Sequence, residues 1–266
     1  MLNRIKAESV ELLCYFDDFC KKNGIEYSVS FGTELGAVRH KGFIPWDDDI
    51  DVDMHWDEFV KFQKAWMAEG DTATYFLQTK ETDLYISSIF PRIRKNETAC
   101  ITKGFENRPI HWGLPLDIFP VFNTPKFVLG RGIQTLFYKA ASVCCVYNWN
   151  HVNANKVILH LSRHMTLFFF KGVCIISTFS RKSGQVYYPY GYHGKKVTRK
   201  SIFFPSKPIM FENRELMGHA DPDAYLSWQY GDYMTPPPEN KRGGHGDGIF
   251  DLDHDYSMYT GVKVQK

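Results

Sequence analysis

At 266 residues, with 44% hydrophobic and 16% aromatic side chains, the chain can bury one sizeable core and is too apolar to be a disordered protein. The net charge of +2 conceals a division: Ile118 to Phe211 holds no Asp or Glu but thirteen Lys and Arg, leaving a net −11 elsewhere. Such segregation points to a basic surface facing an anionic partner, the plainer reading being a solvated basic face. None of the six cysteines forms a C-x-x-C pair and adjacent Cys144 and Cys145 are awkward disulfide partners, so free thiols in a reducing cytosol fit best. The N-terminal MLNRIKAESVELL mixes charged and apolar residues, so no signal peptide is read there.

In chain order, residues 3–22 predict an amphipathic helix, with Ile5, Leu12, Leu13, Phe16 and Phe19 at helical spacing and a stop at Gly24. Residues 26–31 alternate like a strand that ends at Gly32-Thr33, and a short helix follows over 35–39. A second strand is predicted at 50–54, a helix at 57–69, and strands at 75–78, 85–92 and 116–121. Both 126–150 and 154–180 predict long apolar helices. In the second, Lys156, His160, Arg163, His164 and Lys171 share one stripe. Spanning a bilayer with that stripe would cost about 2.5–3.5 kcal/mol per central charged Lys or Arg. A helix lying in the membrane interface, or an ordinary one packed on its own domain, fits better. Residues 181–200 predict a basic loop or hairpin, and Asp221-Pro222 starts a capped helix. The fold class is therefore α/β (α+β), one domain over 1–266 with a basic helical insertion at about 125–200.

The chemistry concentrates in Phe31-Gly-Thr-Glu-Leu-Gly-Ala-Val-Arg-His-Lys-Gly-Phe-Ile-Pro-Trp-Asp-Asp-Asp-Ile-Asp-Val-Asp53, where five of the last seven residues are Asp. Like charges packed so closely raise one another's pKa unless a cation is present. With Ile50 and Val52 in a sheet, Asp49 and Asp51 project together from the other face, where two carboxylates can hold Mg²⁺. Asp48 points to the opposite side from 47, 49 and 51. Gly32-Thr33 lets backbone amides approach phosphate, and a later strand supplies a third acid, Asp117. Gly-Thr, then Asp-x-Asp, then a lone acid is a nucleotidyltransferase pattern, in which two metals clamp a phosphorus centre. A calcium loop matches at Asp47, Asp49, Asp51 and Glu58, but Val52 stands where its sharp turn needs Gly.

Leu35 to Asp51 resembles, along its full length, the L-G-A-x-R-H-x-G-F-I-P-W-D-D-D-I-D signature of the LicD family of phosphocholine transferases, to which fukutin-related sugar-phosphate transferases are similar. Residues 91–98, 115–120 and 230–238 resemble the same family, the likeness being weakest at 125–195. The resemblance implies a nucleotidyltransferase-like mixed sheet, Mg²⁺ dependence with Mn²⁺ as substitute, and a CDP-linked donor, commonly CDP-choline. It also implies a glycan or lipid-linked glycan acceptor, as in lipopolysaccharide, capsule or teichoic acid synthesis. Fifteen residues separate Thr33 from Asp49, more than in ordinary nucleotidyltransferases, so the 39–46 stretch must be accommodated locally.

Asp49, Asp51 and Asp117 are accordingly expected to hold metal, with Asp117 also the general base. Arg39, His40 and Lys41 either neutralise the donor diphosphate or pair with the acids. One of Arg92 and Arg94 is expected at the donor phosphate and the other in the structure, while His245 either closes over the site or is solvated. Trp46, Trp112 and Trp228 are cage candidates for a quaternary ammonium, against the ordinary use of Trp as core. Alternative readings are a polyol-phosphate or mannosyl-phosphate transferase and a non-catalytic membrane-surface module. Nucleic acid is disfavoured, because the basic residues alternate with long apolar runs. The expected location is cytoplasmic, peripherally associated with an anionic membrane surface.

Overall fold

The computed structural model describes residues 1–83, 85–191, 194, 196–243 and 248–261; His245 lies outside them. The elements in order are α1 (Leu2–Asn23), β1 (Ser28–Val29), α2 (Phe31–His40), β2 (Asp51–His55), α3 (Trp56–Glu69), β3 (Tyr75–Gln78), β4 (Arg92–Lys95), β5 (Ala99–Thr102) and β6 (Leu114–Asn123). There follow α4 (Val128–Asn150), α5 (Lys156–Phe179), β7 (Gln185–Tyr187), β8 (Val197–Arg199), α6 (Lys200–Phe203), β9 (Lys207–Phe211), β10 (Arg214–Gly218), α7 (Pro222–Tyr230), β11 (Gly248–Asp251) and α8 (Ser257–Thr260).

α1 forms where its apolar spacing predicts, and it buries Leu12, Leu13, Phe16, Phe19 and Cys20. Gly24, at φ 60°, closes it in the left-handed conformation that glycine adopts without a Cβ penalty. α3 presents Phe59, Phe62 and Trp66 to the same core, and the Phe19 ring lies 5.5 Å from those of Phe62 and Trp66. Each such burial is worth about 1.5–3 kcal/mol. α7 is capped by Asp221, whose carboxylate accepts from the Ala224 N–H at 3.0 Å, with Pro222 in the first turn.

The main sheet runs β1-β2-β6-β4-β3, with β7 pairing the far end of β6 and β8 pairing β7. β2 and β6 are parallel and the other pairs antiparallel, so the sheet is mixed and the fold α+β. All five residues of β2 are buried, because a parallel pair is normally covered on both faces. Val52 and Met54 enter the core beneath α1 and α3. Asp51 and Asp53 occupy the other face and are buried too, contrary to an open acidic face.

Three sequence expectations fail for physical reasons. The strand predicted at 26–31 shrinks to two residues, because Ser30 donates its N–H to Asp51 O and Phe31, at φ 44°, already begins α2. The run at 85–92 is not a strand. Its alternation arises because Ile86 packs with Trp112 and Tyr256 while Ile89 packs with the Phe122 cluster, and β4 starts only at Arg92. Asp48 does not point away from its neighbours, as described below.

α4 and α5 form an antiparallel hairpin against β6, and β7 with β8 make the short hairpin expected within 181–200. Among the described residues, no helix is long and apolar enough to cross a membrane.

Candidate active site

The acidic segment is a loop resting on the start of α2. A Cβ on Gly32 would lie 2.4 Å from Asp47 Oδ2, and one on Gly36 would lie 2.4 Å from the carbonyl of Gly42. Those two glycines, four residues apart on one helix face, let the 42–47 stretch close against α2. The long Thr33–Asp49 separation is absorbed in this way. Thr33 Oγ1 accepts the Asp51 N–H at 2.9 Å, which fixes where β2 begins. Gly32-Thr33 therefore sits in the first turn of a helix and holds the acids, with a carboxylate where the sequence suggested phosphate.

Carboxylate oxygens of Asp47, Asp48 and Asp49 all lie within 4.8 Å of one another, so Asp48 belongs to the cluster. The chain is not an extended strand at these residues, and strict alternation does not apply. Asp51 stands opposite Asp117 in the parallel register of β2 and β6. Burial, then the charges of Asp49, Asp117 and Asp47, hold the Asp51 carboxyl well above the usual carboxylate range. Asp49 and Asp117 face a common cleft, while Asp51 is 8% exposed and outside its lining. The donors suit a hard divalent cation: carboxylate oxygens gather here with no thiol or imidazole among Asp47–Asp49. A cation would relieve the repulsion that raises Asp51.

The cleft, of about 380 Å³, is lined by two groups of residues of different chemistry. Asp48, Asp49, Arg92 and Asp117 form one, and Ile101, Phe105, Ile110, Trp112, Trp149 and Phe250 contribute to the other. Trp149 reaches it from the end of α4, its ring 5.0 Å from Phe105 and 6.2 Å from Trp112. Of the three tryptophans considered as a cage, only Trp112 is here. Trp46 lies under Arg242 at 4.8 Å, and Trp228 packs by Tyr188 and Phe203. Trp149, Phe105 and Phe250 escape a reading along the chain because they arrive from separate elements.

Arg92 Nε donates to Asp117 Oδ1 at 2.6 Å, and its guanidinium lies 4.4 Å from the Phe90 ring. Arg94 also borders the cleft but is 4% exposed and spent on structure, donating to Gln78 Oε1 and to Gly113 O, both at 2.9 Å. Arg94 is thus the structural member of the pair, and Arg92 is the one paired with an acid of the cleft. Arg92→Ala is expected to raise donor KM about tenfold or more with little change in melting temperature. Arg94→Ala should instead lower stability by about 2–3 kcal/mol, because two buried acceptors lose a charged donor. Thermal melts and donor kinetics on the two variants check this; equal donor KM in both and wild type would remove Arg92 from the phosphate.

Arg39, His40 and Lys41 are not brought to the cleft. They close α2 at the end opposite Gly32, where Arg39 donates to His40 Nε2 at 3.0 Å and to Tyr233 O at 2.9 Å.

Behind the acids lies a polar network that spacing does not reveal. His219, fully buried, meets Glu34 Oε2 through Nδ1 at 2.5 Å and Asp53 Oδ2 through Nε2 at 3.0 Å. Tyr188 OH donates to Asp53 Oδ1 at 2.7 Å. Burial alone would lower the His219 pKa, but Glu34 and Asp53 outweigh it and raise it to about 9. Four segments are thereby tied together directly beneath Asp51. The only hint in the sequence is Glu34, an acid at a position of α2 flanked by buried residues.

The sequence profile described as LicD/FKTN/FKRP, nucleotidyltransferase domain, matches residues 24–126, which hold the acidic loop, Arg92 and Asp117. The lipopolysaccharide cholinephosphotransferase LicD of Haemophilus influenzae is 30% identical over 253 residues, covering 89% of this chain and 92% of that protein. Short segments are also 49% identical over 43 residues to an uncharacterised Rickettsia typhi protein, covering 16% of this chain and 14% of that one. A Rickettsia prowazekii protein is 60% identical over 38 residues, 14% of each chain. With the acidic loop, the mixed sheet and near full-length similarity in agreement, the chain belongs to the LicD family.

Proposed function

We propose that this protein is a transferase that moves phosphocholine from a CDP-linked donor to a sugar hydroxyl of lipopolysaccharide or its lipid-linked precursor, with Mg²⁺ as cofactor. The observation that carries the reading is one cleft lined both by carboxylates with Arg92 and by Phe105, Trp112 and Trp149. A choline phosphate needs both: aromatic faces attract a quaternary ammonium, and the acidic side can carry the metal that neutralises phosphate. The Haemophilus relative is named a lipopolysaccharide cholinephosphotransferase, which supports the transferred group and the acceptor class.

Asp49, Asp51 and Asp117 are the residues proposed to hold Mg²⁺ or Mn²⁺, with Asp47 and Asp48 beside them. When bound, the metal would supply positive charge at the phosphorus centre. The chain's own part is positioning. Arg92 holds Asp117 and offers charge to the donor diphosphate, and the aromatic wall orients the choline end. Asp117 is proposed to take the proton of the acceptor hydroxyl. The acceptor oxygen then bonds to the choline-bearing phosphorus, the phosphoanhydride bond breaks, and cytidine monophosphate leaves.

A panel of CDP-choline, a CDP-polyol and a nucleotide-linked mannose, each with Mg²⁺, tests the donor by thermal stabilisation and nucleotide release. CDP-choline should stabilise most, and Trp149→Ala should raise its KM about tenfold while leaving CDP binding alone nearly unchanged. Stabilisation by the CDP-polyol but not CDP-choline would transfer the reading to a polyol phosphate.

A further inference from the structure

The α4–α5 hairpin leaves many of its large apolar side chains exposed while burying several polar ones. α4 buries Gly130, Gln134, Tyr138, Ala141, Cys145 and Asn148, and α5 buries Leu159, Ser162, Thr166, Val173 and Ser177, so small and polar side chains make up much of the inward face. The outward side chains include Leu129, Leu136, Val143, Leu161, Phe168 and Phe179, each 60–88% exposed. A helix pair in water buries its leucines and phenylalanines and turns its serines out. Small and hydroxyl-bearing residues between helices, with large apolar ones outside, is how helices pack in lipid, where burying Leu against Leu gains nothing. Several inward polar groups are bonded within the fold: Ser162 Oγ donates to Cys144 O at 2.9 Å, Thr166 Oγ1 to Ser162 O at 3.0 Å, and Gln134 Nε2 to Asn123 O at 2.9 Å.

We propose that the outer face of this hairpin is a membrane-docking surface seated in the headgroup and upper acyl region of an anionic bilayer. Charge selects that occupant. At about 100° per residue, Lys156, His160, Arg163, His164 and Lys171 form a strip on α5 alongside its exposed apolar residues. Neither helix carries an acid. A second copy docked face to face would oppose two cationic strips, whereas anionic headgroups complement one. Neither helix is apolar enough to cross, so the hairpin lies in the interface, its apolar residues in lipid and its cations among headgroups. Trp149 continues α4 into the cleft, which puts the transfer site next to the docked face. The docking goes beyond the transferase reading and rests on it only for the acceptor, whose lipid link would bring it to this surface.

Flotation of the full chain with vesicles of phosphatidylcholine, alone or with about a quarter phosphatidylglycerol, tests the proposal. The wild type should float with the anionic vesicles, weakly with the neutral ones, and less as salt rises. A Leu136→Gln/Leu161→Gln/Phe168→Gln variant should lose at least about tenfold in binding at unchanged melting temperature, since all three sites are exposed. A Lys156→Gln/Lys171→Gln variant should lose much of the anionic preference, roughly fivefold per cation. Flotation that is absent, or indifferent to the three apolar substitutions, overturns the proposal. So does a lipid-free wild-type dimer that those substitutions split, because the face then belongs to a second copy. None of these readouts uses donor or acceptor, so the transferase reading stands or falls separately.

Discussion

Asparagine in place of Asp49 or Asp51 is expected to cut transfer by at least about a hundredfold while leaving the metal-free protein as stable as wild type or more so. The substitution keeps shape and most hydrogen-bonding capacity but deletes one charge from a cluster of five aspartates. At Asp51 the stability gain should be larger, because burial and its neighbours already penalise the charged carboxylate. Mg²⁺ should raise the thermal midpoint of wild type and do so weakly or not at all for either variant. Asp48→Asn is expected to weaken this metal response too, since its carboxylate lies with those of Asp47 and Asp49. Asp117→Asn should abolish turnover while keeping part of the donor binding, and it removes the opposite charge beside Arg92 while leaving an Oδ1 acceptor. Transfer activity and melts with and without Mg²⁺ check the set. Wild-type turnover in Asp49→Asn or Asp51→Asn would defeat the metal assignment.

His219→Ala should destabilise the fold by about 3–5 kcal/mol, a fall in melting temperature of roughly 10 °C, because two buried carboxylates lose their shared cation. Glu34, Asp53 and His219 are all fully buried, so solvent does not screen the loss. His219→Gln, which keeps a donor, should recover part of it. The pH dependence has a definite sign. His219 is raised from 6.5 to about 9 in the folded protein, against burial, by Glu34 and Asp53. Its stabilisation is therefore complete below about pH 6.5 and is lost as pH rises through about 9. Melts from pH 6 to 10 should show wild type converging on His219→Gln at the alkaline end. Parallel curves across that range would mean that the imidazole is neutral throughout.

What the sequence discloses is what local chemistry decides. α1, α3, α4, α5 and α7 follow from apolar period, a glycine stop or an Asp cap, and the acidic loop is visible because its residues are contiguous. Long-range pairing is hidden. His219 meets Glu34 across 185 residues of chain, and no local pattern encodes that contact. The cleft's aromatic wall is assembled from Phe105, Trp112, Trp149 and Phe250, which no motif links. Periodicity was misleading at 85–92, where alternation records packing on two separate clusters. In α5 it identified the apolar and basic faces correctly, yet not that Ser162, Thr166 and Ser177 would be among those turned inward.

The two halves of the acidic cluster are built with unequal stiffness. Asp51 and Asp117 are paired across one rung of a hydrogen-bonded sheet: Ser30 donates to Asp51 O, and Asp117 donates its N–H to Ile50 O. Their spacing is set by strand geometry and can change only if the sheet itself deforms. Asp47, Asp48 and Asp49 hang on a loop pressed against Gly32 and Gly36, with no ladder of their own. One jaw of the vice is thus fixed and the other adjustable. On the proposed metal role, a larger ion or a phosphate would be accommodated by the loop jaw, while the sheet jaw would keep its carboxylates in place.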